Sequence, residues 1–131
     1  MRHRSLVLFA VLLSGCAYIE TNSRMQQFDD LQRSYARAMT WSNLDAAYSA
    51  TRAAEKMAQA DGAAFQDIKI TSYEVASQKV EESGKTIRRI AQIRYVHTER
   101  MIERKLTVEE EWKYSEDSKR WILESGFPQF R

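Results

Sequence analysis

Few side chains in this 131-residue sequence are of a kind that does chemistry. There is one cysteine, Cys16, and it follows the small pair Ser14-Gly15 at the end of an apolar run. A thiol is a nucleophile and can be alkylated, but alone it cannot close an internal disulfide. Beyond His3, the one histidine is His97, at a predicted strand end beside a turn. With no Asp or Ser placed to work with it, it reads as a surface residue ahead of a general base. One histidine and one cysteine do not supply a zinc ligand set, so no metal is expected. Arg104 and Glu110 are different, because both fall on the apolar parity of a strand from Ile102 to Tyr114. A buried charge costs several kcal/mol unless it is paired. Either both line the mouth of a pocket and hold a polar ligand, or they serve a structural salt bridge or are turned outward by a bulge. Six residues along a strand span about 20 Å, so they do not pair with each other, and each needs a partner from elsewhere. The sequence carries no Gly-rich phosphate loop, paired-acid motif or nucleophile signature. No enzyme and no cofactor are expected.

The surroundings of Cys16 give it a role. Arg2 and Arg4, with His3, form a positive start, and Leu6 to Leu13 form a continuous apolar run. That run is shorter than the roughly 20 residues that cross a bilayer. Charge, apolar stretch and small residues at the cut are the parts of a secretory signal. Leu13-Ser14-Gly15-Cys16 resembles the lipobox of bacterial lipoproteins. The resemblance implies cleavage before Cys16 and attachment of lipid to its sulfur and its new amino terminus. It divides the chain into a signal peptide over 1–15, a lipidated cysteine and short tether over 16–22, and one domain over 23–131. One acyl chain binds reversibly, with a partition constant on the order of 10⁴ M⁻¹, whereas the two or three chains of such a lipoprotein anchor stably. Ala17 stands where an Asp commonly retains Gram-negative lipoproteins at the inner membrane. The resemblance therefore implies the outer membrane, with the domain on its periplasmic face. Fully extended, the tether reaches about 20 Å, which keeps the domain near the lipid.

Charge is uninformative once the leader is set aside. The chain has 20 basic and 18 acidic residues. The leader holds two of the arginines and no acid, so eighteen of each sign remain. A net charge near zero gives no electrostatic case for nucleic acid or for a polybasic membrane patch. Without the leader's fifteen residues the chain has 116, which suits one small domain held by packing alone.

Two periodicities divide that domain. Met25, Phe28, Leu31, Tyr35 and Met39 recur at three- and four-residue steps and predict a helix over 23–40 with one apolar stripe. Trp41-Ser42-Asn43 marks a break, and Ser42 with Asp45 resembles a capping box. A second helix is predicted from Asn43 to Gln59, ended by Asp61-Gly62, with a break near Arg52-Ala53 that could supply a third. From Phe65 the period becomes two. Ile68 and Ile70 share one parity while Tyr73 and Val75 share the other, which predicts a bulge near Thr71-Ser72 in a strand over 65–79. Glu81-Glu82-Ser83-Gly84-Lys85 is a turn, and a strand over 86–97 follows with Ala91, Ile93 and Tyr95 alternating against Gln92 and Arg94. In the third strand Ile102, Leu106, Val108, Trp112 and Tyr114 face inward. Glu109-Glu110-Glu111 reads as a solvated segment of that strand. Ser115 to Ser118 is a hairpin loop, and the last strand, over 119–125, turns Trp121 and Leu123 inward.

Helices followed by four long hairpin-joined strands make an α+β order. The Asn43-to-Tyr48 helix, the Phe65-to-Val75 strand, and Glu111-Trp112-Lys113-Tyr114 hairpinned to Arg120-Trp121-Ile122-Leu123 resemble the NTF2-like (SnoaL-like, cystatin-related) superfamily. The resemblance implies N-terminal helices packed on a curved four-stranded antiparallel sheet. It also implies two further possibilities, a sheet-mediated homodimer and a pocket for a small apolar or amphipathic ligand. Tyr95, Arg104, Glu110, Trp112 and Trp121 are the candidate pocket residues. Tyr48 and Phe127 are aromatics of the same kind, and core packing explains all the aromatics more simply. The balance of these readings favours a membrane-anchored, non-enzymatic lipoprotein that binds another envelope protein, with the edge strands as a docking surface.

Overall fold

A computed structural model describes residues 4–52, 54 and 65–131, with residues 4–15 described as backbone only. Helix α1 runs from Arg4 to Thr40 without a break. Between Ala17 and Thr40 there is no glycine or proline to stop it. The expected tether over 16–22 is therefore a helical stretch, and it shortens to about 1.5 Å per residue. The predicted stripe is the buried one: Phe28, Tyr35 and Met39 are buried, and Met25 and Leu31 pack beside them.

At its C-terminal end α1 closes as a Schellman motif. Asn43 N–H donates to the Ala38 carbonyl at 2.8 Å and Ser42 N–H to that of Met39 at 3.0 Å. Ser42 takes the left-handed position, at φ 57°, that glycine usually fills. Asn43, not Ser42, caps the next helix, its side chain accepting from the Ala46 N–H at 3.4 Å. The Ser42 hydroxyl lies one residue too early for that role and instead accepts from the Ile70 N–H at 2.8 Å. Helix α2 spans Leu44–Tyr48 and is much shorter than expected. The chain then turns, and Thr51 bridges to Leu123, so the break falls a few residues before Arg52. Gln59 and the Asp61-Gly62 stop lie outside the described residues.

Strands β1 (Ile68–Val80), β2 (Thr86–His97), β3 (Ile102–Ser115) and β4 (Arg120–Leu123) form one antiparallel sheet in sequence order. The register of β1 on β2 slips between Ile70 and Ser72, leaving Thr71 unpaired where the parity switch predicts a bulge. A second slip, between Val75 and Ser77, is not signalled by the parity pattern. Gly84, at φ 65°, shapes the β1–β2 turn. The core lies between α1, α2 and the inner sheet face, with Ile87, Ala91, Ile93, Tyr95, Trp112, Trp121 and Leu123 buried. Ile122 is buried as well as its two neighbours, because β4 has the chain after α2 beside it. At the far end of β3 the cover runs out, and Ile102 and Arg104 are exposed against the alternation that places them inside.

Candidate functional site

Among the described residues the inner face carries one charged centre. Glu110 on β3 is 3% exposed, and its cross-strand neighbour on β2 is Arg89, 7% exposed. Arg89 Nε stands 3.8 Å from Glu110 Oε2, a Coulombic contact and not a hydrogen bond. The hydrogen bonds to the carboxylate come from elsewhere. Tyr73 Oη donates to Oε1 at 2.7 Å and reaches Oε2 at 3.2 Å, and Trp112 Nε1 donates to Oε2 at 3.3 Å. From α1, Tyr35 sets its ring edge-on to Tyr73 and to Trp112, at 5.8 and 5.1 Å between centroids. The Arg89 guanidinium lies over the Phe28 ring at 6.0 Å, a cation–π contact.

Burial pushes both phenols, Tyr35 and Tyr73, far above the ordinary tyrosine value of 10.0, and the Glu110 carboxylate adds to the rise while Arg89 opposes it. Both phenols are therefore neutral, and Tyr73 is the one that acts as a hydrogen-bond donor to the carboxylate. Arg89 Nε and Nη1, Tyr35 Oη and both polar atoms of the Gln32 side chain are buried without a hydrogen-bond partner among the described residues. The centre pairs a buried charge and ties helix to sheet. Its carboxylate is already engaged on both oxygens.

The candidate pocket residues are not gathered into one site. Glu110 and Trp112 belong to the polar centre. Trp121 packs on Phe28 at 5.0 Å and donates from Nε1 to the Arg24 carbonyl at 2.9 Å. Tyr95 is buried, and its hydroxyl bonds the backbone of Arg131 at 3.0 and 3.1 Å. Arg104 is exposed and has no part in the centre. The partner that Glu110 needs is Arg89, which was legible, since Arg89 shares the inward parity of Ala91, Ile93 and Tyr95. The Glu109-Glu110-Glu111 run is also not uniformly solvated. Its middle member is buried while Glu109 is exposed.

Cavities lie around this core. Across β1, β2 and β3 a trough of about 510 Å³ takes in Ser77, Ile90 and Glu109 together with Lys79, Arg88 and Glu111, and between them Gln78, Arg89 and Glu110. These are adjacent cross-strand rows in register, with Arg89 in the middle one. At the end of the sheet a cavity of about 360 Å³ is lined by Tyr48, Phe65, Asp67, His97, Phe127 and Phe130, among others. His97 packs edge-on to Tyr95, and its Nε2 is buried without a hydrogen-bond partner. Among the described residues no group of three or more His, Cys, Asp or Glu could hold a metal ion.

Cys16 stands apart from all of this. It is exposed on α1, and so is every residue from there to Ser23. Among the described residues no helix is long and apolar enough to cross a membrane.

The molecule is an α+β domain in which an N-terminal helix packs on an open four-stranded antiparallel sheet, an arrangement consistent with the NTF2-like one. Compared with protein families, with curated proteins and with solved structures, the chain finds no match.

Proposed function

We propose that this is a lipid-anchored protein of the bacterial envelope, held through Cys16 at the periplasmic face of the outer membrane, where its domain binds another envelope protein without catalysing a reaction. The observation that carries the reading is the place of Cys16. It closes Leu13-Ser14-Gly15-Cys16, and it lies on a stretch of α1 that is exposed from Cys16 to Ser23. Processing and acylation there leave the folded core untouched. The polar centre supports a structural reading of the interior, because its carboxylate is engaged and shielded from solvent.

The test is crosslinking in intact cells, with mass spectrometry of what is captured and a Cys16→Ala control. A dominant envelope partner that is lost in the control is the expected result. Capture of nothing, or of the same proteins with and without the anchor, contradicts it.

A second reading has its own observation. The cavity at the sheet end is walled by the rings of Tyr48, Phe65, Phe127 and Phe130, with Asp67 and His97 among its lining residues. Apolar walls with a few polar groups are the usual make-up of a small-molecule site. Native mass spectrometry of the extracted protein, with His97→Phe for comparison, distinguishes the two. A retained amphipathic molecule lost in the variant favours the pocket; a bare chain in both favours the protein partner.

A further inference from the structure

Between Cys16 and the folded domain, α1 makes two turns of opposite character. The first, Cys16-Ala17-Tyr18-Ile19, is apolar, and the second, Glu20-Thr21-Asn22-Ser23, is polar. All eight residues are exposed, with Tyr18 at 70% and Ile19 at 67%. A helix lying flat on a lipid surface divides its polarity around the axis, apolar on one side and polar on the other. Here the division runs along the axis, which suits a helix standing on its end.

The next turn fixes that helix to the domain. Trp121 Nε1 donates to the Arg24 carbonyl at 2.9 Å, and Gln27 Nε2 to that of Lys119 at 3.0 Å. The β1–β2 turn comes alongside as well, since a Cβ placed on Gly84 would lie 3.6 Å from Thr21 Cγ2. The β3–β4 hairpin therefore braces α1 just beyond its exposed part, and the β1–β2 turn lies beside Thr21 within it. From Cys16 to Arg24 the helix rises only about 12 Å, and to Trp41 about 38 Å.

We infer that Ala17, Tyr18 and Ile19 form a lipid-seated foot: the first turn of α1 stands upright in the headgroup layer of the anchoring membrane, with the β1–β2 and β3–β4 turns facing the lipid and the α1–α2 corner at Trp41 facing away. This rests on the anchored reading above. The occupant is a phospholipid surface because acylation at Cys16 brings these side chains to it, within one helical turn. Tyrosine is suited to that layer, its ring apolar and its hydroxyl wet. After cleavage the first N–H groups of the helix are free of intrahelical partners and face the lipid phosphates. The foot removes the freedom of an extended tether and presents one end of the domain to its partners.

Depth measurement by spin label tests it, since the chain has no other cysteine. The full chain with its leader is expressed as Ile19→Cys or as Ser23→Cys, purified as the acylated form established by intact mass, and placed in phosphatidylethanolamine–phosphatidylglycerol vesicles. The inference expects the label at 19 to be severalfold more accessible to dissolved oxygen, relative to a water-soluble nickel chelate, than the label at 23. Equal, water-like accessibility at both positions in the acylated chain overturns the foot and leaves the anchor standing. A label at 19 that is immobilised yet nickel-accessible also overturns it, because protein then covers the turn. A chain that leaves the cell without acyl groups overturns the anchored reading and the foot with it.

Discussion

Glu110 and Arg89 are charged residues facing inward from neighbouring strands, and each is tolerable only because of the other. Removing one leaves the second buried and uncompensated, so Arg89→Met or Glu110→Leu should cost about 3–5 kcal/mol in urea unfolding, with the double variant recovering much of the loss. A double variant as unstable as the sum of the singles would contradict the pairing. The two tyrosines beside them differ. Tyr73 supplies a hydrogen bond to the carboxylate, and Tyr73→Phe should cost about 1–3 kcal/mol. The Tyr35 hydroxyl has no partner among the described residues, and Tyr35→Phe should be neutral or slightly stabilising. Both phenols have folded pKa values raised by burial, then by Glu110. Above their ordinary value of 10.0 the unfolded chain releases protons that the native state keeps. Stability is therefore intact below that pH and falls as pH rises beyond it. Urea midpoints compared at roughly pH 9 and 11 should show a shallower fall for Tyr35→Phe than for the parent. At this scale the sequence is half legible. The parity of β3 finds Glu110 and that of β2 would find Arg89. Arg104 is misplaced because alternation continues past the point where helix cover ends, and parity alone carries no record of what lies above a strand.

Among the elements, the strands were the most readable. The bounds of β2 coincide with expectation, and the polar, glycine-bearing run Glu81-Glu82-Ser83-Gly84-Lys85 marks its start. The bulge at Thr71 was visible as a change of parity, whereas the slip after Val75 falls among residues exposed on either face and leaves no pattern. The helices were less readable. A stripe reports where a helix is buried and not where it begins, so the exposed turns of α1 from Cys16 to Ser23 escaped it. At the α1–α2 corner, Ser42 combines a left-handed backbone with a side-chain bond to β1. Ser42→Ala keeps the backbone cost and leaves the Ile70 N–H unpaired, which should destabilise the domain by about 1–2 kcal/mol. Ser42→Gly, freed of the left-handed cost, should lose less; a larger loss for glycine would show that the left-handed backbone is not a cost at this position.

For the whole molecule, the folded part and the proposed anchor are separate constructions. The core is closed by α1 and the sheet, while Cys16 lies two exposed helical turns outside it. Cys16→Ser should therefore leave the unfolding midpoint of the domain unchanged and alter only where the protein is found. The measurement that bears most directly on the account is the intact mass of the protein extracted from outer-membrane fractions of a Gram-negative cell expressing the full chain. The account predicts a chain beginning at Cys16 and carrying two or three acyl groups, absent from the Cys16→Ser variant. An uncleaved chain with a free thiol, or a processed chain that remains in the periplasmic fraction without lipid, would contradict it.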